Sequence, residues 1–236
     1  MSEVGFFGNM PYAATLPSCV LYLRPFGTSG GTTFKDFSPK ARAMSVTGSA
    51  ANSNTQLKFP PCSIYQNGSG GYVQTTSGSA DFSLGTLWGC SMWLYPTTTM
   101  PGLFQIYLNS GNNILCAFLS ANQPFIESHI ASSVTMEAAW TTSSLTVNAW
   151  HHFYLGQTSA SSCFFYLDGT LYNATASPTG PTGGSALNST ILQIGQETTD
   201  SKYLTGYFDE FAIWNGSLGN IPTISMLYPQ TRRMIV

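Results

Sequence analysis

The sequence predicts an all-β domain, an antiparallel sandwich of two sheets, and three observations carry that prediction. Helical periodicity is nearly absent. Gly and Pro, 23 and 13 of the 236 residues, punctuate the chain at short intervals. The segments between them are aromatic, β-branched or rich in Ser and Thr, the residue types that fit a pleated surface. About a dozen such segments follow one another with turn residues between, as in a sandwich or barrel. The length suits one such domain and buries a core without disulfide or metal.

Taken in order, the predicted strands begin with Cys19–Phe26, Ser63–Gln66, Gly71–Thr76, Cys90–Pro96 and Gly102–Leu108. Next come Asn113–Ser120, Phe125–Ile130 and Ser133–Ala138, then Trp150–Gln157, Cys163–Gly169, Thr190–Gly195 and Gly206–Trp214. The longest stretch free of Gly and Pro, Phe125–Leu155, contains Val134, Met136 and Ala138 at period two. It also contains the aromatic, β-branched run SLTVNAWHHFYL, so it reads as strands and not as one long helix. GTSGGT (27–32) and SPTGPTGGS (177–185) read as loops. Neither divides two compositions, which leaves one domain over 19–220, an arm over 1–18 and a tail over 221–236. In the arm, Gly5, Gly8, Pro11 and Pro17 interleave with Phe6, Phe7, Met10 and Tyr12 without strand alternation. Alone, such a segment does not offset an ordering entropy of about 1–2 kcal/mol per residue. The arm is therefore expected to dock on a neighbouring chain; the alternative is that it folds back over its own sheet.

Composition narrows the function class. Charged residues make up 8% of the chain, against roughly 25% in an average domain. Ser and Thr, about a quarter of the residues, take their place. A formal net charge of -2 gives no electrostatic footprint, so neither nucleic acid nor membrane is expected as a partner. MSEVGFFGNMPYAATLPSC lacks a basic start followed by an apolar run, and no apolar window approaches a membrane span. Cys19, Cys62, Cys90, Cys116 and Cys163 are odd in number and scattered, which predicts reduced thiols in a protein made in a cytoplasm. Sequons at Asn67, Asn173, Asn188 and Asn215 are then chance products of a Ser/Thr-rich chain.

Catalytic constellations are sparse. Glycan hydrolysis needs two facing carboxyl groups, and adjacent Asp209 and Glu210 are expected on opposite faces of their strand. Glu127 and Glu137 lack an acidic partner two or four residues away, which leaves only a pair assembled from distant strands. His151 and His152 oppose one another, and His129 shares a face with Glu127, a two-ligand arrangement short of a zinc site. Asp168 reads as half of an Asp-Gly hairpin turn. Trp88, Trp93, Trp140, Trp150 and Trp214 read as core, with Trp93 and Trp150 expected between the sheets. Trp140, at a strand-to-loop edge, is the one with room to act as a surface contact.

Six motifs in order resemble the laminin-G-like, concanavalin-A-like jelly rolls, in the variety common in phage and other viral structural proteins. VLYLRPFGTSGGTTFKDFSP is similar to the opening strand and turn with Asp36 and Ser38, and SVTGSA to the short strand after it. LKFPPCSIYQNGSGGYV resembles the lysine–phenylalanine and Gly-rich turn, although Pro60–Pro61 replaces the usual Gly-Gly and Asn67–Gly68 an Asp-Gly. ADFSLGTLWGCSMWLYP resembles the Asp-Phe hairpin and Trp-bearing strand; WHHFYLGQ and FFYLDGTL resemble the paired strands that follow. LQIGQ and LTGYFDEFAIWNGSL resemble the closing strands. The resemblance implies a jelly roll and leaves room for a structural calcium held by Asp209 and Asp36, with no cofactor otherwise. It implies a non-catalytic virion component, a capsid decoration or a tail or fibre piece. The partners would be a major capsid protein or tail proteins, with further copies of the chain as another. The alternative is a carbohydrate-binding module that takes a glycan, calcium-assisted or as a host-receptor binder.

Overall fold

The computed structural model describes residues 14–76, 80–99, 102–109, 112–120, 123–130, 133–141, 145–159, 161–173, 190–197, 201–216 and 219–227. The first strands are β1 (Cys19–Pro25), β2 (Phe34–Asp36), β3 (Ser45–Thr47), β4 (Ala51–Ser53), β5 (Ser63–Asn67) and β6 (Tyr72–Thr76). Long strands follow: β7 (Trp88–Pro96), β8 (Gly102–Asn109), β9 (Asn112–Ser120), β10 (Gln123–Ile130), β11 (Ser133–Ala139) and β12 (His151–Ser159). Then come β13 (Ser162–Leu167), β14 (Thr170–Tyr172), β15 (Ile191–Ile194), β16 (Gln196–Glu197), β17 (Lys202–Tyr203) and β18 (Thr205–Asn215). A single turn, α1 (Ile224–Leu227), closes the described chain. Every predicted strand is present within a residue or two. The short strands β2, β4, β14, β16 and β17 were not predicted, because two or three residues carry no readable alternation. The predicted loop 177–185 lies outside the described residues.

Two antiparallel sheets form the sandwich. The first runs β14-β13-β12-β7-β18-β1-β2, with β5 also on β18 and β4 on β5; the second runs β11-β10-β9-β8-β15-β6-β3. Alternation explains the core. Trp88, Cys90, Met92 and Leu94 of β7 and Phe153 and Leu155 of β12 face Phe104, Ile106, Ile114, Cys116 and Ile126 of the second sheet in one buried cluster. Trp140 is in that core, against Phe165 at 5.5 Å, and is not a surface contact. The fold is a concanavalin-A-like jelly-roll sandwich.

The outward face of the second sheet carries a row of amides in register. Gln105 donates to Gln193, Gln193 donates to Gln74 at 2.7 Å, and Gln196 donates to Gln193 at 2.9 Å. Shared amide bonds satisfy polar groups that the β16–β17 ribbon helps to bury.

On β18 the alternation breaks once. Phe208 and Phe211 both face the core, so Asp209 and Glu210 both point outward, and the pairing with β7 shifts between Asp209 and Ala212. This is a β-bulge, with Glu210 at φ 49°. Its location has a cause: on one side of β18 the partner changes here from β5 (Thr205–Phe208) to β1 (Phe211–Trp214). The expectation of opposed carboxylates assumed regular strand parity, and the bulge overturns it. Upstream, Gly206 (φ 143°) lets β18 close on β7, since a Cβ there would lie 2.2 Å from the Tyr95 carbonyl oxygen.

The outward face of the first sheet is half covered. Trp214, Tyr154, Tyr22, Ala212 and Cys19 are buried there under Ala14, Leu16, Ile221, Ile224 and Leu227. The cover is tied down by polar bonds: Ser18 Oγ donates to the Asn220 carbonyl at 2.6 Å, and the Tyr154 hydroxyl donates to the Pro222 carbonyl. Ala14, Leu16 and Ser18, in the described part of the expected arm, thus lie on the domain's own sheet, as does the start of the expected tail. Residues 1–13 lie outside the described residues.

Candidate functional site

The uncovered half of that face carries a row of aromatic rings. Tyr65 of β5 pairs in register with Tyr207 of β18, and Tyr207 with Tyr95 of β7. Trp150 sits beside Tyr95, just before β12. Ring centroids are 5.0 Å apart for Tyr65–Tyr207, 5.8 Å for Tyr207–Tyr95 and 5.6 Å for Tyr95–Trp150. All four are half-buried, so each ring keeps part of its surface in solvent. Three strand spacings give the strip a length of about 14 Å. Along one margin, Asn67 lies in register with Thr205, and the Thr97 hydroxyl donates to the Thr205 carbonyl at 3.0 Å. The exposed turn at Val147–Asn148 is held there by the Asn148 N–H, which donates to the Pro96 carbonyl at 2.8 Å.

Two residues back along the strands, on the other margin, lies Trp93. It is 7% exposed, yet it does not sit between the sheets as expected. Strand parity puts it on the outward face with Tyr95, and the loop 54–62 seals it. Phe59 meets its ring edge-on at 6.1 Å, and Lys58 Nζ rests 3.5 Å from the ring centroid. Trp150, expected in the core, is likewise on the outward side and half-buried. Alternation marks which residues share a face; it does not say which face a loop will cover.

Asp209 holds that loop. Its Oδ2 accepts the Phe59 N–H at 3.2 Å and its Oδ1 accepts the Glu210 N–H at 2.9 Å. Asp209 therefore bonds loop backbone. Burial, together with the Glu210 charge, pushes its carboxyl well above the usual range. Glu210 accepts the Tyr22 hydroxyl at 3.0 Å, with Arg24 Nε at 3.9 Å.

On the far side of Trp93, the His152 ring lies 4.8 Å from the indole, and its Nε2 is 2.8 Å from Ser91 Oγ. Burial lowers the His152 pKa to about 3; nearby Lys58 adds to that and Asp168 opposes it. A serine and an imidazole both sealed from solvent have no access to substrate, so the pair serves packing. His151 faces the other way, as expected of neighbours on a strand, and its Nδ1 is 2.7 Å from Asp168 Oδ2. Asp168 (φ 51°) and Gly169 (φ 80°) form the expected two-residue hairpin turn. Asp168 also accepts the His152 N–H at 2.8 Å. Burial raises its pKa, but the bonds from His151 and His152 outweigh it, so the net shift is downward.

Asp36 and Asp81 are engaged elsewhere. Asp36, expected with Asp209 as a calcium ligand, accepts the N–H groups of Tyr22, Ser38 and Arg42 and the Ser38 hydroxyl, all within 3.0 Å. Arg42 and Lys40 pair with Asp81. Among the described residues no three His, Cys, Asp or Glu side chains gather to hold a metal. Glu127 and Glu137 are in register on β10 and the edge strand β11, a pairing that spacing within one segment could not show. Glu127 is bound by His129 Nε2 at 3.0 Å.

The profile of the concanavalin A-like lectin/glucanases superfamily matches residues 67–220, well over half of the chain. The chain belongs to that superfamily. Among solved structures, this superfamily member resembles the binding domain of botulinum neurotoxin DC in complex with rat synaptotagmin II. Identity is 12% and TM-score 0.62, over 89% of this chain and 51% of that one. A second match is a structure concerned with the dependence of botulinum neurotoxin type C cell entry on interaction with two ganglioside molecules. There identity is 11% and TM-score 0.60, over 93% of this chain and 51% of that one. A third is domain 4 of AbnA, a GH43 extracellular arabinanase from Geobacillus stearothermophilus, in complex with arabinotriose. There identity is 14% and TM-score 0.58, over 82% of this chain and 90% of that one. At such identities the likeness shows the fold alone, and the chain spans about half the length of the toxin binding domains. No curated protein sequence matches the chain. Among the described residues no helix is long and apolar enough to cross a membrane.

Proposed function

We propose that this domain is a non-catalytic binding module that holds a glycan on the strip Tyr65–Tyr207–Tyr95–Trp150. The observation that carries the reading is four partly exposed rings in one line across four strands, bordered by hydroxyl and amide side chains. Sugar rings present C–H faces that lie on aromatic surface, and hydroxyls at their rims that need hydrogen-bond partners. The outward carboxylates beside the strip, Asp209 and Glu210, are buried and bonded within the protein, so they are not placed to protonate a leaving group. The arabinotriose-bound and ganglioside-dependent proteins of the same fold support a glycan ligand. Binding of the whole chain to a glycan array tests the proposal. Tyr207→Ala and Trp150→Ala should each lose retention while keeping the native circular dichroism. Failure of the chain to retain any glycan, or variants that bind like the parent, would overturn it.

A virion setting is the role implied by the phage-type sequence resemblance. In that setting the strip would be a host-receptor patch, and co-purification of the protein with particles tests it.

A further inference from the structure

Resting on the glycan reading of the strip, one side chain at its margin bears on which sugar groups are accepted there. We propose that Asn67 is a specificity-determining residue: its carboxamide Nδ2 donates to an acceptor oxygen of the glycan, a sugar hydroxyl or an acetamido carbonyl, beside Tyr65. Strand parity places it. Gln66 turns inward, and its Nε2 donates to the Ile194 carbonyl of the second sheet at 3.0 Å. Its neighbours Tyr65 and Asn67 therefore both point outward. Asn67 lies across from Thr205 just as Tyr65 lies across from Tyr207. It stands two residues, about 7 Å, from the first pair of rings along the same two strands.

The amide is held in one orientation. Its Oδ1 accepts the Ser69 N–H at 3.0 Å, the Ser69 hydroxyl at 2.6 Å and the Ser49 hydroxyl at 2.6 Å. A backbone N–H can only donate, so the atom it meets is the carbonyl oxygen and the amino group lies on the other side. Ser49 is fixed in turn, because its oxygen accepts the Asn67 N–H at 3.3 Å. Asn67 is exposed, and no described residue accepts from its Nδ2. The donor is thus set in place before any ligand arrives, and its ordering cost is already met. Thr97, two residues beyond Tyr95 on the same margin, differs: its hydroxyl donates to the Thr205 carbonyl and offers only lone pairs outward.

The test is an array carrying arabinotriose, cellotetraose, N-acetylchitotetraose and longer oligosaccharides, probed with the whole chain and its variants. Asn67→Asp keeps the acceptor that Ser49 and Ser69 hold and exchanges only the donor, whereas Asn67→Ala removes both. On every glycan the parent retains, both variants should bind about three- to tenfold more weakly, the worth of one hydrogen bond. Asn67→Asp should melt with the parent. A parental preference for N-acetylated members that Asn67→Asp erases identifies the acetamido carbonyl as the acceptor; an equal loss on members without acetamido groups identifies a hydroxyl. If both variants bind like the parent while Tyr207→Ala loses retention, the Asn67 assignment falls and the strip stands. If Asn67→Asp melts as low as Asn67→Ala, the residue serves the turn and the assignment falls as well. If no glycan is retained, the strip reading falls and this inference with it.

Discussion

Two titratable groups flank Trp93 on the outward face, and burial moves them in opposite directions. His152 has its pKa lowered to about 3, against an ordinary value near 6.5. Between those values the unfolded chain binds a proton that the folded chain refuses. Its contribution is therefore complete above about pH 6.5 and fades as pH falls toward the folded value. Asp209 has a raised pKa, so its contribution is complete below about pH 3.9 and is lost as pH rises through its folded value. Urea unfolding across the pH range should show His152→Gln with a flatter acid limb and Asp209→Asn with a smaller loss toward neutral pH. The two outward tryptophans differ in depth. Trp93→Ala should cost about 3–5 kcal/mol, the range for emptying a buried aromatic site. Trp150→Ala, at a half-buried position, should cost clearly less in the same measurement, which makes it the cleaner probe of binding.

Elements were legible to the extent that alternation is a local property. The long strands announced themselves because Met92, Leu94, Phe153 and Leu155 repeat at period two between Gly and Pro. Three things were not legible. The bulge at Asp209–Glu210 carries no glycine to mark it; it follows from β18 changing partners, which is tertiary information. The faces of Trp93 and Trp150 depend on the loop 54–62 and on strand phase beyond a single segment. The aromatic strip is assembled from separate strand registers, so no stretch of sequence contains it. One weak signal was available, since Tyr207 follows Gly206, Tyr95 precedes Pro96 and Trp150 opens its strand. Aromatics beside turn residues are poor candidates for the middle of a core. The bulge can be tested directly. Tyr22→Phe removes the hydroxyl that donates to buried Glu210 and should cost about 1–3 kcal/mol, read as a lower urea midpoint with unchanged slope. The in-register pair Glu127–Glu137 yields a negative expectation: an oligosaccharide incubated with the protein should be recovered intact by chromatography.

At the scale of the whole molecule, the sandwich depends on cover from both ends of the described chain. Leu227 is fully buried against the outward face, and its removal should cost about 1.5–3 kcal/mol. A chain ending at Asn220 should melt lower and expose Trp214, seen as a red-shifted fluorescence maximum. The five cysteines are free, and four of them are buried. Burial pushes the Cys163 thiol up to about 12 and also raises those of Cys19, Cys90 and Cys116. Thiol titration should find five reactive groups per chain after denaturation without reductant, and slow reaction in the native state.

The hydrogen bond from Ser18 to the Asn220 carbonyl brings the two covering segments together at one point on the sandwich. That point lies toward the Trp214 end of β18, whereas the aromatic strip crosses the same strand at Tyr207. Spliced into a surface loop of a host protein, the unit would hang from a double stalk and carry its rings at the far tip. Linking 18 to 220 directly and cutting at an exposed turn such as Thr28–Gly30 should give a circularly permuted chain that keeps the sheets but, without the covering segments, melts lower.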